Sequence, residues 1–316
     1  MITTVTLNPS LDRTLLVAEL TRGEVLRADA TRDDPGGKGV NVARALAMHG
    51  EHPVAVLPAG GSIGRALVAQ LGDAGVDVEP VAIEGTTRAN ITIVEPDGVT
   101  TKLNEPGPLL SATEIDAVIE AVSKRASEGG WVVIGGSLPP GVEVDVITLV
   151  VEAAHTAGAK VALDTSGQAL RTGLRAKPDL VKPNIQELLE VVGGAASTIG
   201  DVVDACQRLR TLGAVDVLCS LGADGAVLVT DQAVWQAAAP PVEVRNTVGA
   251  GDALLAGYLF AAGGGPKQAL RVGVAWAAAA VRTPGTGVPV PEFIDVAGVH
   301  VTDVPDISQS LTEELV

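Results

Sequence analysis

The chain has 316 residues, 47% of them hydrophobic and only 2% aromatic, which suits a sizeable α/β core packed from Val, Leu, Ile and Ala. A formal charge of −16 offers no clustered basic surface to nucleic acid or to an anionic membrane. Two cysteines (206 and 219) are too few for a disulfide framework, the amino terminus lacks signal-peptide character and no apolar run reaches transmembrane length, so a cytoplasmic protein is expected.

The first β-like run, Thr3 to Leu7, leads into Asn8-Pro9-Ser10-Leu11-Asp12. At that strand end the Asp12 carboxylate can accept hydrogen bonds from two sugar hydroxyls, or cap the turn locally. Residues 12–34 read as extended chain through Leu15-Leu16-Val17 and Val25-Leu26. Next comes Pro35-Gly36-Gly37-Lys38-Gly39-Val40-Asn41, opening a helix over 39–49. It is no Walker A loop, because the spacer between glycines is missing and no Ser or Thr follows the Lys. Gly37 permits close backbone approach to a ligand, Lys38 supplies a point charge, and Asn41 can bond hydroxyls from the first helical turn; a flexible turn entering a helix reads the same way.

A strand at 54–57 and a helix at 62–74 follow, and then a second extended excursion over 88–104 with the turn Pro96-Asp97-Gly98 at its centre. Arg88 and Asn90 stand at its start, where an arginine can grip a phosphate through paired N–H groups or simply be solvated; Lys102 on the partner strand is equally ambiguous. The two excursions predict a small β lid that excludes water, with an outward apolar face suited to forming a homodimer.

Beyond it, strands at 131–134, 160–163, 180–182 and 217–220 alternate with helices at 112–128, 143–157, 200–212 and 251–262. That alternation predicts βαβ units in an open, mostly parallel sheet, with ligands beyond the carboxyl ends of its strands. Several strands run into polar or glycine turns there, including Gly135-Gly136-Ser137, Asp164-Thr165-Ser166 and Lys182-Pro183-Asn184. Asn184 and Glu187, three apart on one helix face, can orient Mg²⁺ through its water shell or cap the helix as a pair. Ser220-Leu221-Gly222-Ala223-Asp224-Gly225 reads as a strand–turn–strand open to nucleotide contact or as an ordinary hairpin turn.

Asn246-Thr247-Val248-Gly249-Ala250-Gly251-Asp252 sets a small-residue turn and a carboxylate at a helix start. The exposed amides there can hold negative charge on a migrating phosphoryl group while Asp252 accepts the proton of an attacking hydroxyl; helix capping is the plainer alternative. The four His and two Cys form no metal-ligand cluster, and neither a GxSxG elbow nor a GxGxxG after the first strand is present.

Together these motifs resemble the ribokinase-like carbohydrate kinases, in the phosphofructokinase B branch that phosphorylates sugar phosphates. The likeness runs from Thr6-Leu7-Asn8-Pro9-Ser10-Leu11-Asp12 through GGKGVN, Thr87-Arg88-Ala89-Asn90, Gly136-Ser137-Leu138-Pro139-Pro140-Gly141 and Val181-Lys182-Pro183-Asn184 to Thr247-Val248-Gly249-Ala250-Gly251-Asp252. It implies a single kinase domain over 1–316, a doubly wound sheet with a small β-strand lid, and ATP with Mg²⁺. It further implies Asp252 as catalytic base, an anion hole from Gly249, Ala250 and Gly251, and sugar contacts from Asp12, Gly37, Lys38 and Asn41, with Arg88, Asn90 and Ser137 near the sugar's phosphate. Lys182, Asn184, Glu187, Ser220, Gly222 and Gly225 would serve the nucleotide and Mg²⁺. The combination of Gly36-Gly37-Lys38-Gly39 with Lys102-Leu103-Asn104-Glu105-Pro106-Gly107-Pro108 is most similar to 1-phosphofructokinases and tagatose-6-phosphate kinases. The expectation is conversion of fructose 1-phosphate to fructose 1,6-bisphosphate. Tagatose-6-phosphate kinase, a minor 6-phosphofructokinase and, more distantly, a non-catalytic sugar-phosphate sensor are the alternatives.

Overall fold

A computed structural model describes residues 1–96, 98–283 and 288–312. The first third of the chain contributes β1 (Ile2–Val5), β2 (Ser10–Leu16), β3 (Ala30–Gly36), α1 (Lys38–Met48), β4 (Val54–Ala59), α2 (Gly61–Asp73), β5 (Asp77–Ala82), β6 (Arg88–Val94) and β7 (Thr100–Asn104). Then come α3 (Ala112–Arg125), β8 (Trp131–Gly135), α4 (Val146–Thr156), β9 (Lys160–Asp164), α5 (Gly167–Gly173), β10 (Leu180–Val181) and α6 (Ile185–Val192). The last third adds α7 (Ile199–Thr211), β11 (Asp216–Ser220), β12 (Ala226–Val229), β13 (Val234–Ala238), α8 (Ala250–Phe260), α9 (Pro266–Ala280) and β14 (His300–Thr302).

Ten strands form one sheet in the order β14-β13-β12-β11-β10-β9-β8-β1-β4-β5. It is parallel from β5 through β11 and closes with the antiparallel strands β12, β13 and β14. Its central strands are apolar on both faces because both are covered by helices. Val132, Val161, Val181 and Val217 point into a core shared with α3 to α7, while Val133, Ala162, Leu180 and Leu218 point into one shared with α1, α8 and α9. Aromatic rings are scarce, so these layers are packed by small and branched side chains at close spacing. Among the described residues, no helix is long and apolar enough to cross a membrane.

The two excursions come together as a separate four-stranded sheet, ordered β3-β2-β6-β7. Residue pairing gives its faces opposite characters. Ser10, Asp12 and Asn90 share one face, whereas Leu15, Ile91, Ile93 and Leu103 fall on the other, with Leu103 still 55% exposed. Val25 and Leu26, expected to be extended, lie instead in the irregular connection between β2 and β3. Of the expected turn at residues 96–98, Asp97 lies outside the described residues. Strand 180–182 is shorter than expected, because Pro183 has no N–H to continue the ladder. The helix expected over 112–128 ends at Arg125, where Ala126 turns to extended backbone.

Candidate active site

The carboxyl ends of β1, β8, β9, β10 and β11 converge on one rim, and the amino termini of α1 and α8 meet it from one face of the sheet. Gly135 makes this approach possible: a Cβ there would stand 3.0 Å from the Gly39 amide. Gly37, at φ 119°, turns the chain from the small sheet into α1, in a region that glycine alone enters freely.

Asp252 sits in the first turn of α8, only 7% exposed. One oxygen accepts a 2.8 Å hydrogen bond from Asn41 Nδ2 on α1. Burial, reinforced by the neighbouring Asp164 charge, pushes the Asp252 carboxyl up to about 6, against the lowering effects of the Asn41 bond and of Lys182 and Lys38. Gly249 precedes the helix in left-handed geometry, φ 85°. The amides of Gly249, Gly251 and Asp252 find no hydrogen-bond acceptor among the described residues, whereas the Ala250 amide turns onto the Thr247 carbonyl at 3.3 Å. Three free donors thus remain at the positive end of α8, and Ala250 is not among them.

Lys182 lies closer to these amides than its place in sequence suggested. A Cβ on Gly251 would stand 3.1 Å from Lys182 Nζ, and the ammonium is 4% exposed. It pairs at 3.3 Å with Asp164 at the end of β9. The other Asp164 oxygen takes a 2.7 Å bond from Lys38 Nζ, which also reaches Glu187 at 3.2 Å. Burial would raise the Asp164 carboxyl, but the two ammonium groups outweigh it and hold it below the ordinary aspartate value. Burial likewise works against the Lys38 charge, and Asp164, Glu187 and Asp252 more than offset it, so that ammonium is held above the ordinary lysine value. Lys38 therefore extends along the rim to Asp164 and Glu187.

Beside the small sheet, Asp12 accepts from Ser10 Oγ at 2.7 Å and from Asn90 Nδ2 at 2.9 Å. A Cβ at Gly36 would collide with this carboxylate. Among the described residues, the side-chain Oδ1 atoms of Asn41 and Asn90 are buried without a partner and are available to a ligand's hydroxyls. The terminal nitrogens of Arg88 donate to the carbonyls of Glu105, at 2.9 Å, and Asn8, at 3.0 Å, while its Nε is buried without a partner among the described residues. Its guanidinium borders a cleft of about 620 Å³ that neither Asp12 nor Asp252 lines. Ser137 accepts a long 3.5 Å contact from Asn8 Nδ2.

On the far rim, Asn184 and Glu187 form a reciprocal capping box on α6, at 2.8 and 3.0 Å, so the capping alternative is realised while Glu187 keeps one oxygen on Lys38. Ser220 ends β11 beside Asn184, and its amide donates to Pro183. Gly222 and Gly225 flank a 3₁₀ turn at φ 60° and 86°. Gly225 has a structural reason to lack a side chain, since a Cβ there would run into the Ala237 carbonyl.

Two residues of this rim went unassigned in the sequence. Ser10 is tied to Asp12 and Asn90, and Asp164 joins both lysines. The signal for Asp164 was its place at the carboxyl end of a buried strand, Val161-Ala162-Leu163, where an unpaired acid would be costly.

The sequence matches the description "pfkB family carbohydrate kinase" over residues 5–292. It is 38% identical to the 1-phosphofructokinase of Rhodobacter capsulatus, covering 92% of this chain and 93% of that relative. It is 37% identical to the ATP-dependent 6-phosphofructokinase isozyme 2 of Escherichia coli, covering 90% and 93%. The crystal structure of phosphofructokinase-2 from Escherichia coli in complex with potassium superposes with a TM-score of 0.88 at 36% identity, covering 92% of this chain and 96% of that one.

Proposed function

The chain belongs to the pfkB family of carbohydrate kinases, and we propose that this sugar-phosphate kinase moves the γ-phosphoryl group of ATP to the free primary hydroxyl of fructose 1-phosphate, yielding fructose 1,6-bisphosphate. The observation that carries the proposal is the buried Asp252 carboxyl, held by Asn41 at the foot of a helix where the amides of Gly249, Gly251 and Asp252 find no acceptor among the described residues. Asp252 takes the proton of the attacking hydroxyl, and the amides of Gly249, Gly251 and Asp252, with Lys182 beside them, offset the charge of the phosphoryl group in flight.

Asp12, Gly37, Asn41 and Asn90 hold the sugar's hydroxyls, with the unpartnered Asn41 and Asn90 oxygens as acceptors. Arg88, through its free Nε, and Ser137 lie toward the sugar's phosphate. Lys38 stands between the two substrates, on carboxylates that a phosphate can replace. ATP lies along Lys182, Asn184, Glu187, Ser220, Gly222 and Gly225. The donors on that side are oxygens, as Mg²⁺ prefers, yet among the described residues no three acids or histidines converge on one point. They fit a Mg²⁺ carried by the ATP phosphates and met by Glu187 and Asn184 through water, where it would neutralise phosphate charge. The small sheet covers the sugar as a lid, and two copies associate through its apolar face. ATP and a sugar phosphate are polyanions that do not cross a bilayer unaided, which supports a cytoplasmic setting.

Relatives named for either sugar phosphate match almost equally, at 38% and 37%, so a substrate panel decides the acceptor. With ATP, kcat/KM for fructose 1-phosphate should exceed that for fructose 6-phosphate, tagatose 6-phosphate, fructose and ribose. Asp252→Asn should lower kcat by about a hundredfold or more with the fold intact. Preference for another acceptor overturns the substrate, and retained turnover in that variant removes Asp252 as the base.

A further inference from the structure

After β14 the chain crosses back over the molecule and is fastened along its course. Asp303 accepts from Trp235 Nε1 at 3.1 Å and pairs with Lys267 at 2.6 Å. Farther on, the carbonyls of Ile307 and Gln309 accept from the Gly200 and Ile199 amides at 3.0 and 2.9 Å, and the Leu311 amide donates to Ser197 at 2.9 Å. Leu311 packs on the core beneath α7. Gly200 is fitted to this passage, because a Cβ there would stand 2.8 Å from the Ile307 carbonyl.

The last fastening reaches the far rim of the site. Thr312 donates its amide and its hydroxyl to the two oxygens of Asp224, each at 2.7 Å. Asp224 belongs to the 222–225 turn, whose own hold on itself is confined to short-range bonds such as Leu221 N to Gly225 O at 2.8 Å. Both Asp224 oxygens thus accept from the returning chain.

We infer that residues 307–312 form a strap that holds the 222–225 turn in the shape that receives ATP, with Thr312 and Asp224 as positioning residues. This rests on the reading of that turn as part of the nucleotide side. A turn flanked by two positive-φ glycines has many conformations to lose, and whatever ATP must order itself is subtracted from its affinity. The strap orders the turn before the nucleotide arrives.

The test compares the parent with Thr312→Val, with Gly200→Ala, which displaces the strap from its far end, and with Thr312→Ser, which restores the hydroxyl. ATP binding is titrated calorimetrically without sugar, KM is measured for both substrates, and hydrogen exchange is followed at the amides of 221–226. Thr312→Val and Gly200→Ala should weaken ATP by about three- to tenfold and speed exchange in the turn, with kcat and the sugar KM within about twofold and Thr312→Ser near the parent. Unchanged ATP affinity in both folded variants, or unchanged exchange in the turn, overturns the strap as a positioning device. A parent that binds ATP while exchange at 221–226 ignores ATP removes the underlying placement of the nucleotide instead, and the strap's role with it.

Discussion

The raised Asp252 carboxyl has two measurable consequences. A base must be ionised to accept a proton, so kcat/KM for the sugar phosphate should climb with pH through about 6 and level off above it. Asn41 donates to the ionised form and lowers that value, so Asn41→Ala should move the midpoint upward, as a pH–rate profile would record. The stability effect has the opposite sense. The folded value lies above the ordinary aspartate value of 3.8, so the stabilising contribution is full below 3.8 and is lost as pH rises through about 6. Asp252→Asn should therefore unfold at the same or a higher temperature than the parent at pH 7.5, with the gap closing near pH 4; a clear loss at pH 7.5 would contradict this. Asp252 and Asn41 were legible in the sequence because each follows a glycine-rich turn at a helix start. The direction of Lys38 was not, since the partner that fixes it, Asp164, lies 126 residues away. The carbonyls that hold Arg88 were not legible for a similar reason: they belong to loops that only the assembled chain brings together.

At the scale of elements, Gly225 separates a turn that needs glycine for space from one that needs it for backbone alone. Gly225→Ala places a Cβ against the Ala237 carbonyl at φ 86° and should cost more than about 2 kcal/mol in urea unfolding. Gly50, at φ 83° with open surroundings, should cost only about 1 kcal/mol on the same change. Equal losses would mean that the neighbouring strand gives way. The sequence marked out the βαβ units best, because apolar strands and amphipathic helices differ sharply in period. It left α9 unmarked, since Val272-Gly273-Val274-Ala275-Trp276-Ala277 is apolar all round and becomes a buried helix only through its packing on α8. The short strands β13 and β14 carry little pattern of their own and are defined by their neighbours.

For the molecule as a whole, the apolar side of the small sheet is the surface proposed to join a second copy. Sedimentation should show a dimer, and Leu103→Glu, which places a charge on that side, should shift it to monomer at micromolar concentration. A parent that sediments as a monomer would remove this face as an interface. The same sheet also bears on how the chain acquires its structure. Residues 10–16 pair in parallel with 88–94, so the sheet's central ladder cannot close until the chain between them has been gathered in. Contacts so distant in sequence form late, after local ones have repaid their entropy. The side proposed to join two copies is thus absent from half-folded chains, so the proposed association would wait until each protomer has finished folding.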